Sequence, residues 1–170
     1  MTIVYKMDAM LEIRKYLWDQ LKYMGLFVDT DYYSDNVGLE IVPIIPVQQA
    51  AELNQFLSGK THIVYDKIGM SFEEMWAISC DQVLFTIYST DVSEINSLRN
   101  FMVDLFRRMD ESAADVNKWA GLSNKFKFHS IFIADISPTS PSEELQGFFS
   151  ADVILELKYS RIADVNGRIV

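Results

Sequence analysis

The spacing that comes nearest to a metal site runs from Asp29 to Glu40. Asp29, Asp31 and Glu40 fall at the first, third and twelfth positions of a calcium loop. The fifth and sixth positions hold Tyr33 and Ser34, where such a loop needs an oxygen ligand and a turn glycine. The stretch therefore reads as a solvated acidic loop, and no metal ligand is assigned. His62 and His129 are the two histidines. Acid–base chemistry would need a nucleophile or carboxylate aimed at one of them. Both fall in expected strands and read as structural. The chain has no G-x-S-x-G, H-E-x-x-H, C-x-x-C or glycine-rich phosphate loop. Cys80 has no cationic neighbour to lower its thiol pKa, so it reads as a small buried or turn residue. No catalytic or cofactor-binding residue is assigned, and a non-enzymatic role is expected.

What remains is contact chemistry. Arg107-Arg108 followed by Asp110-Glu111 reverses charge at a helix end. Arginines there suit the helix dipole, and equally suit pairing across a subunit boundary. Tyr32 and Tyr33, with the apolar run Leu39–Val47, are the other candidate exposed surfaces. Arg107, Arg108, Asp110, Glu111, Tyr32 and Tyr33 are accordingly the candidate subunit interface.

Composition agrees with a packing protein. The 170 residues suit one domain with a full core. Hydrophobic residues make up 49% and charged residues 23%, which excludes whole-chain disorder. The 13% aromatic share suits a large core or surfaces buried in an assembly. A net charge of −9 argues against a duplex-gripping domain, which needs a basic stripe. It is compatible with a surface that DNA slides past. A single cysteine precludes an internal disulfide and suggests a reducing cytoplasm. The N-terminus lacks a signal-peptide core, and no apolar stretch has membrane-spanning length, so a soluble chain is expected.

The elements that must position these groups follow from periodicity. A helix over Asp8–Met24 carries Met10, Ile13, Leu17, Leu21 and Met24 at helical spacing, with Gly25 as its left-handed cap. Pro43 and Pro46 restrict the Val37–Val47 stretch to an edge strand or arm. A short helix is expected over Gln48–Leu57, a strand over Thr61–Tyr65 and a turn at Gly69–Glu74. Met75–Ser79 and Gln82–Ser89 read as two strands separated by Cys80-Asp81. Asp91 and Glu94 form a capping-box start for a helix to about Met109, with a second helix over Glu111–Trp119. Lys125–Ile136 alternates with Phe126, Phe128, Ser130, Phe132 and Ala134 on one face. Phe148–Arg161 is a second long strand, pairing with it as a hairpin across a turn-rich loop at Pro138–Glu144. Residues 162–170 read as a flexible tail. The expected fold class is α+β, a mostly antiparallel sheet covered by helices on one face, in a single domain over 1–170.

The order of these segments resembles the tail-terminator (neck, or tail-completion) proteins of tailed bacteriophages. The resemblance covers about Val37 to Arg161. It rests on I-Y-S-T-D entering a helix (Ile87–Asp91), then S-A-x-D-V-N (Ser112, Ala113, Asp115, Val116, Asn117). The K-F-H strand (Lys127–His129) and the closing Tyr159-Ser160-Arg161 also match. The resemblance implies a virion structural protein, assembled in the host cytoplasm, with no cofactor. It implies a ring, usually a hexamer, that caps the tail tube, ends its polymerisation and joins the tail to the head connector. Implied partners are the chain itself, the tube protein, the sheath in a contractile tail, the connector, and DNA passing through the lumen without sequence recognition. The competing readings are a small cytoplasmic protein-binding adaptor domain and an acid–base enzyme built on His129.

Overall fold

A computed structural model describes residues 9–25, 33–34, 39–40, 42–51, 57–73, 78–121 and 126–161. In chain order the elements are α1 (Ala9–Tyr23), β1 (Tyr33–Ser34), β2 (Leu39–Glu40), β3 (Ile44–Pro46) and α2 (Val47–Ala50). Next come β4 (His62–Glu73), β5 (Ile78–Ser89), α3 (Val92–Phe106) and α4 (Asp110–Ala120). β6 (Phe126–Ile136), β7 (Ser140–Pro141) and β8 (Phe149–Arg161) complete the described chain. The fold is α+β with a mostly antiparallel six-stranded open sheet, ordered β3-β4-β5-β8-β6, with β7 on β8. Only β3 runs parallel to its neighbour, pairing Ile44–Pro46 with Ile63–Tyr65. Pro43 precedes that short edge strand and Pro46 is its last residue, positions that suit residues lacking a backbone donor. β1 and β2 form a separate two-stranded ladder.

One face of the sheet carries the core. Val83, Phe85 and Ile87 of β5 stand beside Leu155, Val153 and Ala151 of β8 and are fully or almost fully buried. α3 lies on β5 and β8, α4 on β6, and α1 on α4. α3 contributes Ile95, Leu98, Met102 and Phe106; α1 contributes Met10, Ile13, Leu17 and Leu21. Each such side chain is worth about 1.5–3 kcal/mol in removal from water. Tyr16 joins α1 to α3 and α4, 6.2 Å from the Phe106 ring and 5.5 Å from that of Trp119. The helix stripes stop short of their expected ends: Met24 and Met109 are exposed. Gly25 has φ +69 and closes α1 as a left-handed cap.

Two sequence expectations about β4 and β5 are corrected. β4 runs through Gly69, where a turn was expected, to Glu73, and β5 is continuous through Cys80-Asp81. The register passes from Lys67↔Val83 to Gly69↔Gln82, so the bulge residue is Ile68. At Gly69 a Cβ would meet the Gln82 side chain at 3.3 Å, so a larger residue would have to displace that side chain by a few tenths of an ångström. Asp81 is tolerated mid-strand because its carboxylate accepts from Tyr159 Oη at 2.7 Å and pairs with Lys67 Nζ at 3.2 Å. Polar residues that look like turn signals are here a cross-strand ion pair.

The alternation of β6 is also interrupted. Bulges at His129 and Ala134 shift the register against β8. Phe126 and Phe128 face the core before the first bulge, and Ile131 (opposite Leu157) takes over after it. Phe132, expected beside Phe128, turns to the other face. Finally, α2 covers only Val47–Ala50, with 52–56 outside the described residues. The expected Asp8 cap, Tyr32 and the 162–170 tail also lie outside the described residues.

Candidate functional site

The predicted interface residues at Arg107–Glu111 sit where α3 ends and α4 begins. Arg107 pairs with Asp104 at 3.4 Å, one turn back on α3. Arg108 bridges Glu111 at 2.8 Å and Asp115 at 3.0 Å. These arginines are therefore engaged within their own chain, on an exposed surface. Asp110 and Glu111 open α4, where carboxylates suit the helix dipole. Tyr33 lies in β1, paired with Glu40 of β2. Of the calcium-spaced residues, Asp29 and Asp31 lie outside the described residues. Among the described residues no group of three or more His, Cys, Asp or Glu side chains could hold a metal ion.

The residues that carry the family resemblance have legible structural work. Ser112 Oγ donates to the Leu105 carbonyl and accepts from Arg108 N–H, both at 3.2 Å, closing the end of α3. Ala113 and Val116 are buried in the core. Asn117 presents a complete amide to β6: Nδ2 donates to the Phe128 carbonyl at 2.8 Å, and Oδ1 accepts from Phe128 N–H at 2.9 Å. A side chain thus stands in for a neighbouring strand. The Met109 carbonyl does the same further along, accepting from Ile131 N–H at 3.3 Å.

At the Ile87–Asp91 junction Asp91 caps α3, accepting from Ser93 N–H at 2.9 Å. The reciprocal half of the expected capping box is absent, because Asp91 N–H donates instead to Ser89 Oγ at 3.0 Å. Glu94 turns inward and accepts from Thr61 Oγ1 at 2.7 Å and Ser89 Oγ at 3.1 Å. This knot ties the start of β4 to the end of β5 and the first turn of α3. Sequence spacing alone could not reveal it, since Thr61 is 33 residues from Glu94.

The two histidines do not converge. His129 is the β6 bulge, exposed, with Nε2 2.9 Å from Ser160 Oγ. His62 lies three strands away at the other end of the sheet, beside Tyr88. Strand rise over the intervening register places them on the order of 30 Å apart, so no catalytic pair exists. Burial pushes the Cys80 thiol up, reinforced by the Glu156 carboxylate, which leaves it a poor nucleophile.

His62 is the more informative of the two. It is 5% exposed and its ring stacks on Tyr88 at 5.3 Å. Nδ1 donates to the Lys60 carbonyl at 2.9 Å, which fixes the neutral tautomer. Burial lowers its pKa, partly offset by that hydrogen bond. The folded state therefore binds this proton less well than the unfolded chain. Stability from this group is complete above the unfolded value of about 6.5 and is lost as pH falls below it. Urea titrations in this acid range should show that slope, and His62→Gln should flatten it. Equal slopes in both proteins would exclude His62 as its source.

The two sheet edges differ. On the outer side of β6, Asn117 and Met109 supply partners. On β4, β3 covers only Ile63–Tyr65. Among the described residues no strand pairs with the outer side of Asp66–Glu73. Ile68, Met70 and Phe72 on that segment are 48%, 62% and 44% exposed. The sheet face opposite the core carries Asp66, Glu73, Asp135, Asp152 and Glu156 against Lys127 and Lys158, the last of which pairs with Glu73 at 3.1 Å. No helix among the described residues is long and apolar enough to cross a membrane. No protein-family model matches the chain, and no curated protein matches it.

Proposed function

We propose that this chain is a structural subunit of a phage tail, of the tail-terminator type. It forms a ring that caps the tail tube, ends its polymerisation and joins the tail to the head connector. The observation that carries this reading is the asymmetry of the sheet edges. A subunit with one edge closed by its own helix, and another with no strand paired to Asp66–Glu73 among the described residues and with Ile68, Met70 and Phe72 exposed along it, is suited to contact a different surface on its neighbour. Such head-to-tail contacts generate rings when the rotation closes. A bare edge of this kind is otherwise an aggregation hazard that monomeric proteins avoid. The acidic sheet face is consistent with a lumen that lets DNA pass, since basic residues would hold it by counterion release. The order of segments read from the sequence, which resembles that of tail terminators, is the starting point of the reading.

The test is assembly. Light scattering with and without purified tail-tube protein, with electron microscopy of the tubes, should show rings or capped tubes of defined length. Met70→Lys should abolish both while changing monomer stability by no more than about 0.5 kcal/mol, as expected of an exposed site. A chain that remains monomeric and never caps tubes would refute the proposal. The same bare edge also favours a second reading, an adaptor domain that takes a peptide as an added strand. One-to-one binding of such a peptide, without capping, would select it.

A further inference from the structure

A pocket of about 150 Å³ lies between α2, the first residues of β4, the last residues of β5 and the turn before β8. Val47, Ala50, Val64 and Leu145 form its apolar wall, and His62, Tyr88 and Glu144 supply its polar groups. The polar groups share one property. Tyr88 Oη spends its only proton on Glu144 Oε2, at 2.8 Å. His62 spends its only proton on the Lys60 carbonyl, leaving Nε2 as a lone-pair acceptor. Among the described residues no hydrogen bond is made to that nitrogen, and His62 as a whole is 5% exposed. Glu144 retains a second carboxylate oxygen. The pocket thus offers acceptors and no donors, beside a carboxylate and a stacked aromatic pair. Phe148 adds a ring edge against His62 at 5.9 Å. The Tyr88 hydroxyl is held protonated by burial, then by the Glu144 hydrogen bond and the charges of Glu144 and Asp152. The local field is therefore negative.

Neutral acceptors facing an apolar wall would be satisfied by any donor, but the carboxylate selects a cation. An apolar cavity of about this volume accommodates a benzene-sized body. We propose that this pocket binds an organic cation, a primary ammonium on a compact apolar stem, presented either by a free amine or by a lysine side chain. The ammonium sits among Glu144, Tyr88 Oη and His62 Nε2, and the stem lies against Val64 and Leu145. This inference does not depend on the assembly reading.

The experiment is a titration of the full chain with benzylamine and with benzyl alcohol, its neutral counterpart, followed by NMR of the His62 imidazole. The amine should give a saturable shift, with the alcohol about tenfold weaker or worse. Glu144→Gln should weaken the amine by about tenfold and leave the alcohol unchanged. Glu144 is exposed, so the variant should fold, as an unchanged spectrum elsewhere would confirm. Nα-acetyl-lysine methylamide separates the sources: comparable binding assigns the site to a lysine side chain, and binding of benzylamine alone assigns it to a free amine. Equal affinity for amine and alcohol, absence of saturable shifts with both amines, or amine binding indifferent to Glu144→Gln would each overturn the proposal.

Discussion

Lys67→Met should destabilise the protein by about 3–5 kcal/mol, the cost of leaving a buried carboxylate without its cation. Asp81 is 1% exposed and sits mid-strand in β5. One oxygen, Oδ2, receives both Tyr159 Oη and Lys67 Nζ, while Oδ1 has no hydrogen-bond partner. The charge therefore depends on two contacts, and the Tyr159 hydroxyl alone is a weak substitute for an ammonium. Asp81→Leu should cost less than Lys67→Met, because the Lys67 side chain is 30% exposed and can turn its ammonium to water. The double variant, Asp81→Leu with Lys67→Met, should be more stable than Lys67→Met alone, since apolar replacement of both partners removes the desolvation cost. Urea denaturation of all four proteins gives the cycle. A Lys67→Met variant within about 1 kcal/mol of the parent would mean that the ion pair does not carry the carboxylate.

Asn117→Ala should be the second costly change, at about 2–4 kcal/mol for two lost hydrogen bonds at a partly buried strand edge. Phe128 N–H and C=O have Asn117 as their partner on that side of β6. Removing the amide leaves both backbone groups facing the space beneath α4. Asn117→Asp should also be destabilising, because a carboxylate can accept from the Phe128 N–H but cannot donate to its carbonyl. Asn117→Gln keeps the chemistry but displaces the amide by one methylene, and should fall between the parent and Asn117→Ala. Hydrogen exchange provides the local readout: the Phe128 amide should lose protection in Asn117→Ala before β5 and β8 do. If its exchange is unchanged, the clamp is not what protects that edge.

The Asn117 clamp also shows why resemblance and function are different kinds of evidence here. Ser112, Ala113, Val116 and Asn117 carry the resemblance read from the sequence, and every one is occupied in closing α3, filling the core or covering β6. They would be needed in any protein with this fold. The surface with the stronger claim to an assembly role, Ile68, Met70 and Phe72 on β4, carries none of the matching residues. In sequence Ile68 falls outside the strand expected over Thr61–Tyr65, and Met70 and Phe72 fall in the turn expected at Gly69–Glu74.

Helix periodicity was the most legible signal. The α1 and α3 stripes, the Asp91 cap and the Gly25 cap follow from side-chain spacing within a single turn or two, which is local information. The β6–β8 pairing was legible for the same reason, as long alternating runs close in sequence. The one-sided α+β sheet follows from those elements. Tertiary structure alone decided the rest. Cys80-Asp81 continues a strand only because Lys67 and Tyr159 arrive from β4 and β8 to neutralise the carboxylate. His129 swaps the faces of β6 because Phe128 is held by Asn117 while Ile131 is drawn to the core opposite Leu157. Glu94 leaves its capping box because Thr61 and Ser89 offer it better donors. In each case the deciding partner is far away along the chain, and a residue's own type cannot report which opposite charge, amide or hydroxyl folding will place beside it.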